Sequence, residues 1–409
     1  MPAPSEVVVR ARVRVLLGCL GLSVFLTVTT IATLGPLLVE MSLAMDSSVP
    51  VLAQLVTIAS ATWAVTALLA GPCSDAFGRK PVLVLGLSLL GVGSLGLGAA
   101  PDFAVAALAC MLLGMGGGMV PPTCVSLVGD TVSDVQKPMS IAFLTMQPGL
   151  SSVVGVPLAV LLADSAGWQA PFVMLGILLF AAALTMLMLV PYNHANRTRL
   201  NLGARLLRVA SFSGTWFMAT TNVMSRMTWG VLITFFPAYL IVTYELRTIE
   251  VALPLAAVAL GATAAPLLGG RIARLNGRLR IIAAMLLMAA IPGLGLFLVQ
   301  FGTWQTVLVA AAFVLLTAPV TTVLLILTAE TGGASRGTLS GVISSSNWGG
   351  TAIGAALGGA LVAHSGFDAL SLLLCGAIVL SALLMALGVN DRAVARAHQY
   401  YAERGTSRS

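Results

Sequence analysis

Hydrophobic residues occur along this chain in long runs, and short polar segments separate one run from the next. A helix needs about 20 consecutive, mostly apolar residues to cross the hydrocarbon core of a bilayer. Twelve runs reach this length and predict twelve transmembrane helices, numbered spans one to twelve. They cover residues 13–39, 49–72, 80–100, 103–128, 139–163, 170–191, 212–241, 251–271, 280–300, 303–329, 337–363 and 368–389. The first run lacks a small-residue cleavage site, which predicts a retained span rather than a signal peptide.

The composition is that of an integral membrane protein over the whole chain. Hydrophobic residues make up 58% of the sequence and charged residues 9%, whereas charged residues make up about 25% of ordinary soluble domains. A soluble domain is therefore excluded, and the predicted fold class is an all-α integral membrane protein.

Positive charges mark one side of the predicted helices, which we call the basic side. All but two of the 21 lysines and arginines lie in the N-terminus, in the C-terminal tail or in loops that follow even-numbered spans. The loops of the opposite, acidic side carry Glu40, Asp46, Asp102, Asp164, Glu245, Glu250 and Asp368. The positive-inside rule then predicts a multi-pass protein of the cytoplasmic (inner) membrane with both termini in the cytoplasm. The net charge of +7 reflects this topology, and no basic–aromatic pattern indicates a nucleic-acid partner.

The chain repeats a motif at a distance of half its length. GPCSDAFGRK (71–80) closes span two and GRIARLNGR (270–278) closes span eight, and both follow Gly-x-x-x-charged-x-x-Gly-Arg. Such repeats predict two pseudo-symmetric six-helix bundles. The predicted units are an N-terminal bundle (1–191), a cytoplasmic linker loop (192–211), a C-terminal bundle (212–389) and a cytoplasmic tail (390–409).

GPCSDAFGRK resembles the loop 2–3 motif of the major facilitator superfamily, and the twelve spans with the second copy extend this resemblance over the whole chain. GVPLAVLLADSAGWQAPF (155–172) is similar to the end of span five in bacterial drug and metabolite efflux permeases. The resemblance implies a secondary transporter that works by alternating access, with spans one, four, seven and ten lining the central path.

The loop motif supplies candidate gating residues, namely Gly71, Asp75, Gly78, Arg79 and Lys80. The two glycines allow close helix approach and a tight turn. The carboxylate of Asp75 should lie near the start of span eleven, where it meets the positive end of the helix dipole, and the resemblance implies that this contact latches the cytoplasmic gate. Alternatively, Arg79 and Lys80 only anchor the loop to anionic lipid.

Arg226 is a charged residue in the middle of span seven. An arginine at the bilayer centre costs about 2.5–3.5 kcal/mol on insertion scales, so we expect it to face a water-filled cavity or a ligand. Polar residues at helical spacing extend the candidate site. The candidate substrate-binding residues are Arg226, Asn222, Trp229, Thr27, Thr30, Gln54, Gln147, Ser344 and Asn347. The alternative for the small polar residues is a contact between helices.

The usual residues for proton antiport are missing from the predicted spans. Cys110 stands where relatives with proton coupling carry an arginine in span four, and no Asp, Glu or His lies at a span centre. Peripheral acids such as Glu40 remain candidates for carrying a proton, and protons remain a candidate partner.

The cysteines and histidines show no metal or disulfide pattern. No set of residues typical of a catalytic site is visible, so we expect neither a cofactor nor an enzyme.

The predicted function is export of a small, amphipathic, anionic or zwitterionic compound whose acid group pairs with Arg226. The partners are this substrate and the lipid bilayer, and the expected oligomeric state is a monomer. The alternative is an uptake permease for an iron chelate or a carboxylate nutrient.

The predicted topology can be tested by cysteine labelling in a chain whose five native cysteines are replaced by alanine. A membrane-impermeant maleimide should label the Asp46→Cys variant in intact cells. It should label the Leu200→Cys variant only after permeabilisation, because the linker is predicted on the cytoplasmic side. Labelling of the Leu200→Cys variant in intact cells would contradict the twelve-span topology.

Overall fold

The computed structural model describes residues 4–132, 136–190, 213–273, 275–331 and 336–388. These residues form helices without a strand, and each predicted span corresponds to one helix or to two or three consecutive helical segments. The spans comprise Pro4–Ala32 with Leu34–Ala44, Val49–Phe77, Arg79–Gly98, Phe103–Thr131, Lys137–Leu150 with Ser151–Gly155 and Val156–Ala166, Gln169–Leu189, Ser213–Tyr244, Thr248–Ile272, Arg278–Leu298, Thr303–Thr317 with Pro319–Thr331, Arg336–Ser365, and Asp368–Gly388.

Eleven helices among the described residues are long and apolar enough to cross a membrane. Span eleven is not one of these, although its helix has 30 residues. The run Ser344-Ser345-Ser346-Asn347 makes it more polar than the others. The predicted linker 192–211 and tail 390–409 lie outside the described residues.

Three spans are interrupted at positions where proline removes a helix hydrogen bond. Span one breaks at Thr33, three residues before Pro36, and span ten breaks at Ala318, directly before Pro319. Span five contains a π-helical turn, Ser151–Gly155, two residues before Pro157. This turn is held to span one by a hydrogen bond of 2.8 Å between the hydroxyls of Ser151 and Thr29.

The two halves of the chain use the same packing scheme. In the first half, span one packs against spans four, five and six, span two against four, and span three against four and six. In the second half, span seven packs against spans ten, eleven and twelve, span eight against ten, and span nine against ten and twelve. Every one of these contacts recurs six spans later, which confirms two pseudo-symmetric six-helix bundles.

The halves meet mainly along three pairs of spans, namely two with eleven, five with eight, and one with seven. Toward the acidic side, a Cβ atom at Gly359 of span eleven would lie 2.7 Å from Gln54 Nε2 and 3.1 Å from the Pro50 carbonyl oxygen in span two. Spans five and eight share a small apolar cluster of Val156, Val160 and Ala252. Span eleven therefore packs on span seven within its own half and on span two of the other half.

Spans seven and eleven approach so closely that a side chain is excluded at Gly230, Gly350 and Gly354. A Cβ atom at Gly350 would lie 2.6 Å from the Val223 carbonyl oxygen and 2.8 Å from the Cβ atom of Arg226. Glycine at position 350 therefore permits the close approach of the two helices beside Arg226.

The Gly350→Ala substitution should destabilise the protein, because overpacking typically costs about 1–3 kcal/mol. Gly349→Ala is the matched control, since a Cβ atom there meets nothing within 4 Å. Thermal unfolding of both variants in detergent should show a lower melting temperature for Gly350→Ala alone. Equal melting temperatures would refute the close approach of spans seven and eleven.

Candidate functional site

Arg226 lies in the middle of span seven, and its side chain is partly exposed. Its Nε donates a hydrogen bond of 3.1 Å to Oδ1 of Asn347 in span eleven. Its guanidinium carbon lies 6.0 Å from the centre of the Trp229 ring, one turn along the same helix. Among the described residues, no carboxylate forms an ion pair with Arg226.

A buried amide holds the partner of Arg226 in place. The Nδ2 of Asn222 donates to Asn347 Oδ1 at 2.8 Å, to Ser346 Oγ at 2.7 Å and to the Ile343 carbonyl oxygen at 3.2 Å. Thr321 of span ten makes a long contact of 3.5 Å with Asn222 Oδ1. Asn222 is fully enclosed, so in this conformation it orients Asn347 and does not reach the open side of the site.

Three hydrogen-bond donors of this site remain available to a ligand. The two terminal nitrogens of Arg226 and Nδ2 of Asn347 make no hydrogen bond to any residue that the structure describes. None of the three is a fully enclosed atom. The terminal edge of a guanidinium binds a carboxylate or phosphate through two parallel hydrogen bonds. The arrangement is therefore able to bind an anion.

An aromatic pair joins the two halves next to this site. Trp63 of span two stacks on Trp348 of span eleven, with ring centres 3.9 Å apart and planes inclined by 21°. Ser345 Oγ donates to the Ala64 carbonyl oxygen at 2.8 Å. Trp63 is buried, and Trp348 is partly exposed.

The structure brings five of the nine predicted binding residues together, namely Arg226, Asn222, Trp229, Asn347 and Ser344. Ser344 is partly exposed and lies one turn before Asn347 on span eleven. Ser346 and Thr321 belong to the same network and were not among the predicted residues. Ser346 belongs to the polar run 344–347 of span eleven, which is a signal in the sequence for a polar contact. Nothing in the sequence distinguishes Thr321 from other threonines in the spans.

The other four predicted binding residues lie outside this cluster. Thr27 and Thr30 are fully buried, and each donates its hydroxyl to a carbonyl four residues earlier in span one, at 2.7 and 2.8 Å. Gln147 is buried and donates to the Phe143 carbonyl oxygen at 3.0 Å. Gln54 lies at the contact with Gly359 of span eleven. In this conformation the hydroxyls of the two threonines bond within span one, so these bonds show neither the predicted contact with a substrate nor the alternative contact between helices.

The loop between spans two and three adopts the expected tight turn. Gly78 has a φ angle of 95°, a value that residues with a Cβ atom rarely adopt. Arg79 hydrogen-bonds to Ser74 Oγ, and its Nε lies 3.1 Å from Asp130 Oδ2 at the end of span four. Asp130 was not predicted as a gating residue, although an acid at the basic end of a span is an unusual feature.

The predicted latch itself lies outside the described side chains. Neither the Asp75 side chain nor those at the start of span eleven belong to them, and the same is true of Gly71. Lys80 is partly exposed, so the alternative of lipid anchoring stays open for it. The latch remains a prediction. The described residues contain no cluster of three His, Cys, Asp or Glu that could hold a metal ion.

The sequence matches one family model and several known transporters. The family model described as Major Facilitator Superfamily matches residues 20–329 and again residues 218–404. The uncharacterised MFS-type transporter YvkA of Bacillus subtilis is 28% identical over 125 residues, which are 28% of each chain. The multidrug resistance protein Stp of Mycobacterium tuberculosis is 31% identical over 110 residues, which are 27% of this chain and 20% of that protein. The alignments thus span less than a third of these two relatives.

Solved structures share the fold over almost the whole chain. The D-xylose-proton symporter matches with a TM-score of 0.76 at 16% identity, over 92% of this chain and 97% of that one. A bacterial homologue of the human lysosomal transporter Spinster, in an inward-facing and unoccupied conformation, matches with a TM-score of 0.67 at 15% identity, over 95% and 98%. At this identity the similarity establishes the fold alone.

Removal of the Asn222 amide should destabilise the protein even without substrate. In Asn222→Leu, Asn347 and Ser346 lose their common donor, and each lost hydrogen bond costs about 0.5–1.5 kcal/mol. Thr234→Val on the same helix is the matched control, because the buried Thr234 hydroxyl has no hydrogen-bond partner. Thermal unfolding should give a lower melting temperature for Asn222→Leu than for Thr234→Val. The opposite order would show that the network does not stabilise the protein.

Proposed function

The chain belongs to the Major Facilitator Superfamily, and we propose that it exports a small organic anion or zwitterion across the cytoplasmic (inner) membrane by alternating access. It is a membrane transporter and not an enzyme. The observation that carries the choice of substrate is Arg226, whose terminal nitrogens are open and unpaired among the described residues.

The charge of Arg226 is permanent under physiological conditions, since the guanidinium is the most basic protein side chain and stays protonated at neutral pH. Within the described residues it is compensated only by the Asn347 amide oxygen and by contact with the Trp229 ring. A bound carboxylate would supply the missing counter-charge through charge-assisted hydrogen bonds, which are about twice as strong as neutral ones. The favoured substrate is therefore an acid, and the substrate that we propose is an amphipathic one.

Export is the direction that we propose, because residues 155–172 are similar to the end of span five in efflux permeases. A relative that matches part of the chain is named a multidrug resistance protein. Uptake is the alternative outcome of a transport assay.

We also propose that both termini are cytoplasmic and that the transporter works as a monomer. No titratable acid contacts the Arg226 site among the described residues, so the site itself does not require proton coupling.

The proposed movement is a rocking of the two halves about their contacts. Spans two and eleven and spans five and eight touch in this conformation, and the described contacts between Gly359, Gln54 and Pro50 lie toward the acidic side. We propose that this conformation is closed on that side. Opening would require these contacts and the Trp63–Trp348 stack to separate.

Substitution of Arg226 tests the proposed substrate class. Purified protein is screened by thermal stabilisation against small organic carboxylates and their uncharged amides, and the acids should bind preferentially. Arg226→Ala should weaken acid binding at least about 30-fold, because truncation of one partner of a buried charge pair costs about 2–5 kcal/mol. Arg226→Lys should retain part of it, since lysine lacks the planar fork.

Arg247→Ala is the matched control for the loss of one positive charge. The Arg247 side chain is 73% exposed and pairs with Glu250 at the start of span eight, on the acidic side, so binding should stay at the wild-type level. Acids that bind Arg226→Ala as tightly as the wild type would refute the proposal. Uptake of a bound acid into inside-out vesicles would support export, and uptake only into right-side-out vesicles would establish the alternative.

A further inference from the structure

We propose that the Arg226 site takes an aromatic carboxylate, a planar ring that carries an acid group, and that the Trp348 indole is the platform for the ring. This inference rests on the proposed function, because Arg226 remains the partner of the acid. It adds a second recognition element, which separates aromatic acids from aliphatic ones of the same size.

Trp348 lies beside the polar end of the site. It follows Asn347 directly, and one residue of an α-helix adds a rotation of about 100° and a rise of about 1.5 Å. The indole and the Asn347 amide therefore start at nearly the same depth of the membrane. Ser344 falls between them on the helix circumference, and the exposed residues Ile353 and Leu357 fall on the opposite side. Ser344, Asn347 and Trp348 thus form one continuous face of span eleven.

The Trp348 ring is held in a fixed plane. Trp63 covers one of its faces, and Trp63 is itself only 3% exposed and packs against Gly117 of span four. Trp348 itself remains partly exposed, and the face turned away from Trp63 is the surface that we assign to the ring of the ligand. An indole whose orientation is already set loses little entropy when it binds a second ring.

The charge and the rings of the site together select the ligand. An aromatic ring can stack in an offset or edge-to-face geometry on a second ring, with centres about 4.5–7 Å apart, and Trp229 beside the guanidinium offers a further aromatic surface. A cationic aromatic compound would be repelled by Arg226, and a neutral one would leave the guanidinium unpaired. An aliphatic acid would satisfy Arg226 and gain nothing from Trp348.

Three probes of matched size separate the two recognition elements. They are 2-naphthoate, its saturated analogue decahydro-2-naphthoate, and the uncharged 2-naphthamide. Isothermal titration calorimetry on the purified full chain in detergent should show that 2-naphthoate binds roughly three- to tenfold more tightly than the saturated acid, which is the range that aromatic pairing provides. The Trp348→Leu variant should lose this preference, and Trp348→Phe should keep most of it.

The outcomes distinguish this inference from the function on which it rests. If both acids bind the wild type equally, or if none of the three probes binds at millimolar concentration, the aromatic platform is refuted. Equal binding of both acids with loss in Arg226→Ala leaves the anion site intact and overturns only the platform. If 2-naphthamide binds as tightly as 2-naphthoate, the anion site itself is refuted. The comparison on the wild type decides the question even if Trp348→Leu fails to fold.

Discussion

The placement of one guanidinium inside the membrane without an acidic partner among the described residues is the constraint on which this structure depends. A charged group in hydrocarbon must be hydrogen-bonded or exposed to water. Asn347 provides the hydrogen bond, Asn222 fixes Asn347, and Ser346 and Ile343 hold Asn222 in turn. This chain of contacts crosses from span seven to span eleven. It requires the two backbones to approach closely, and glycine at position 350 permits that approach.

Span eleven has two roles that follow from its rotation about its own axis. Asn347 lies at one edge of its inner face and contacts Arg226 in span seven, and Trp348 lies at the other edge, where it and the adjoining Ser345 contact span two of the other half. A ligand that binds Asn347 therefore contacts span eleven, the same helix that joins the two halves. Coupling between binding and domain movement needs a physical element shared by both, and span eleven is such an element.

The sequence predicted the fold more completely than the site, for a physical reason. Long apolar runs, loop charges and a repeated motif can be recognised in the sequence alone, and they were sufficient to predict the twelve spans and the two halves. Arg226 was conspicuous because of its charge. The hydrogen-bond partners of Asn222 depend on how spans seven, ten and eleven rotate against one another, which packing decides. Helical spacing also could not separate Thr27 and Thr30 from binding residues, because a threonine hydroxyl can satisfy itself on the preceding turn of its own helix.

A permanent positive charge with no titratable acid beside it among the described residues has a consequence for the energetics of transport. If the substrate is a monovalent anion that leaves without an exchanged ion, each cycle moves one net charge across the bilayer. A membrane potential of 100 mV is worth about 2.3 kcal/mol per charge, and a negative interior drives anions outward. Export would then be electrogenic, and an energised membrane could drive it without a pH gradient. The same membrane potential opposes uptake of such an anion unless a cation accompanies it.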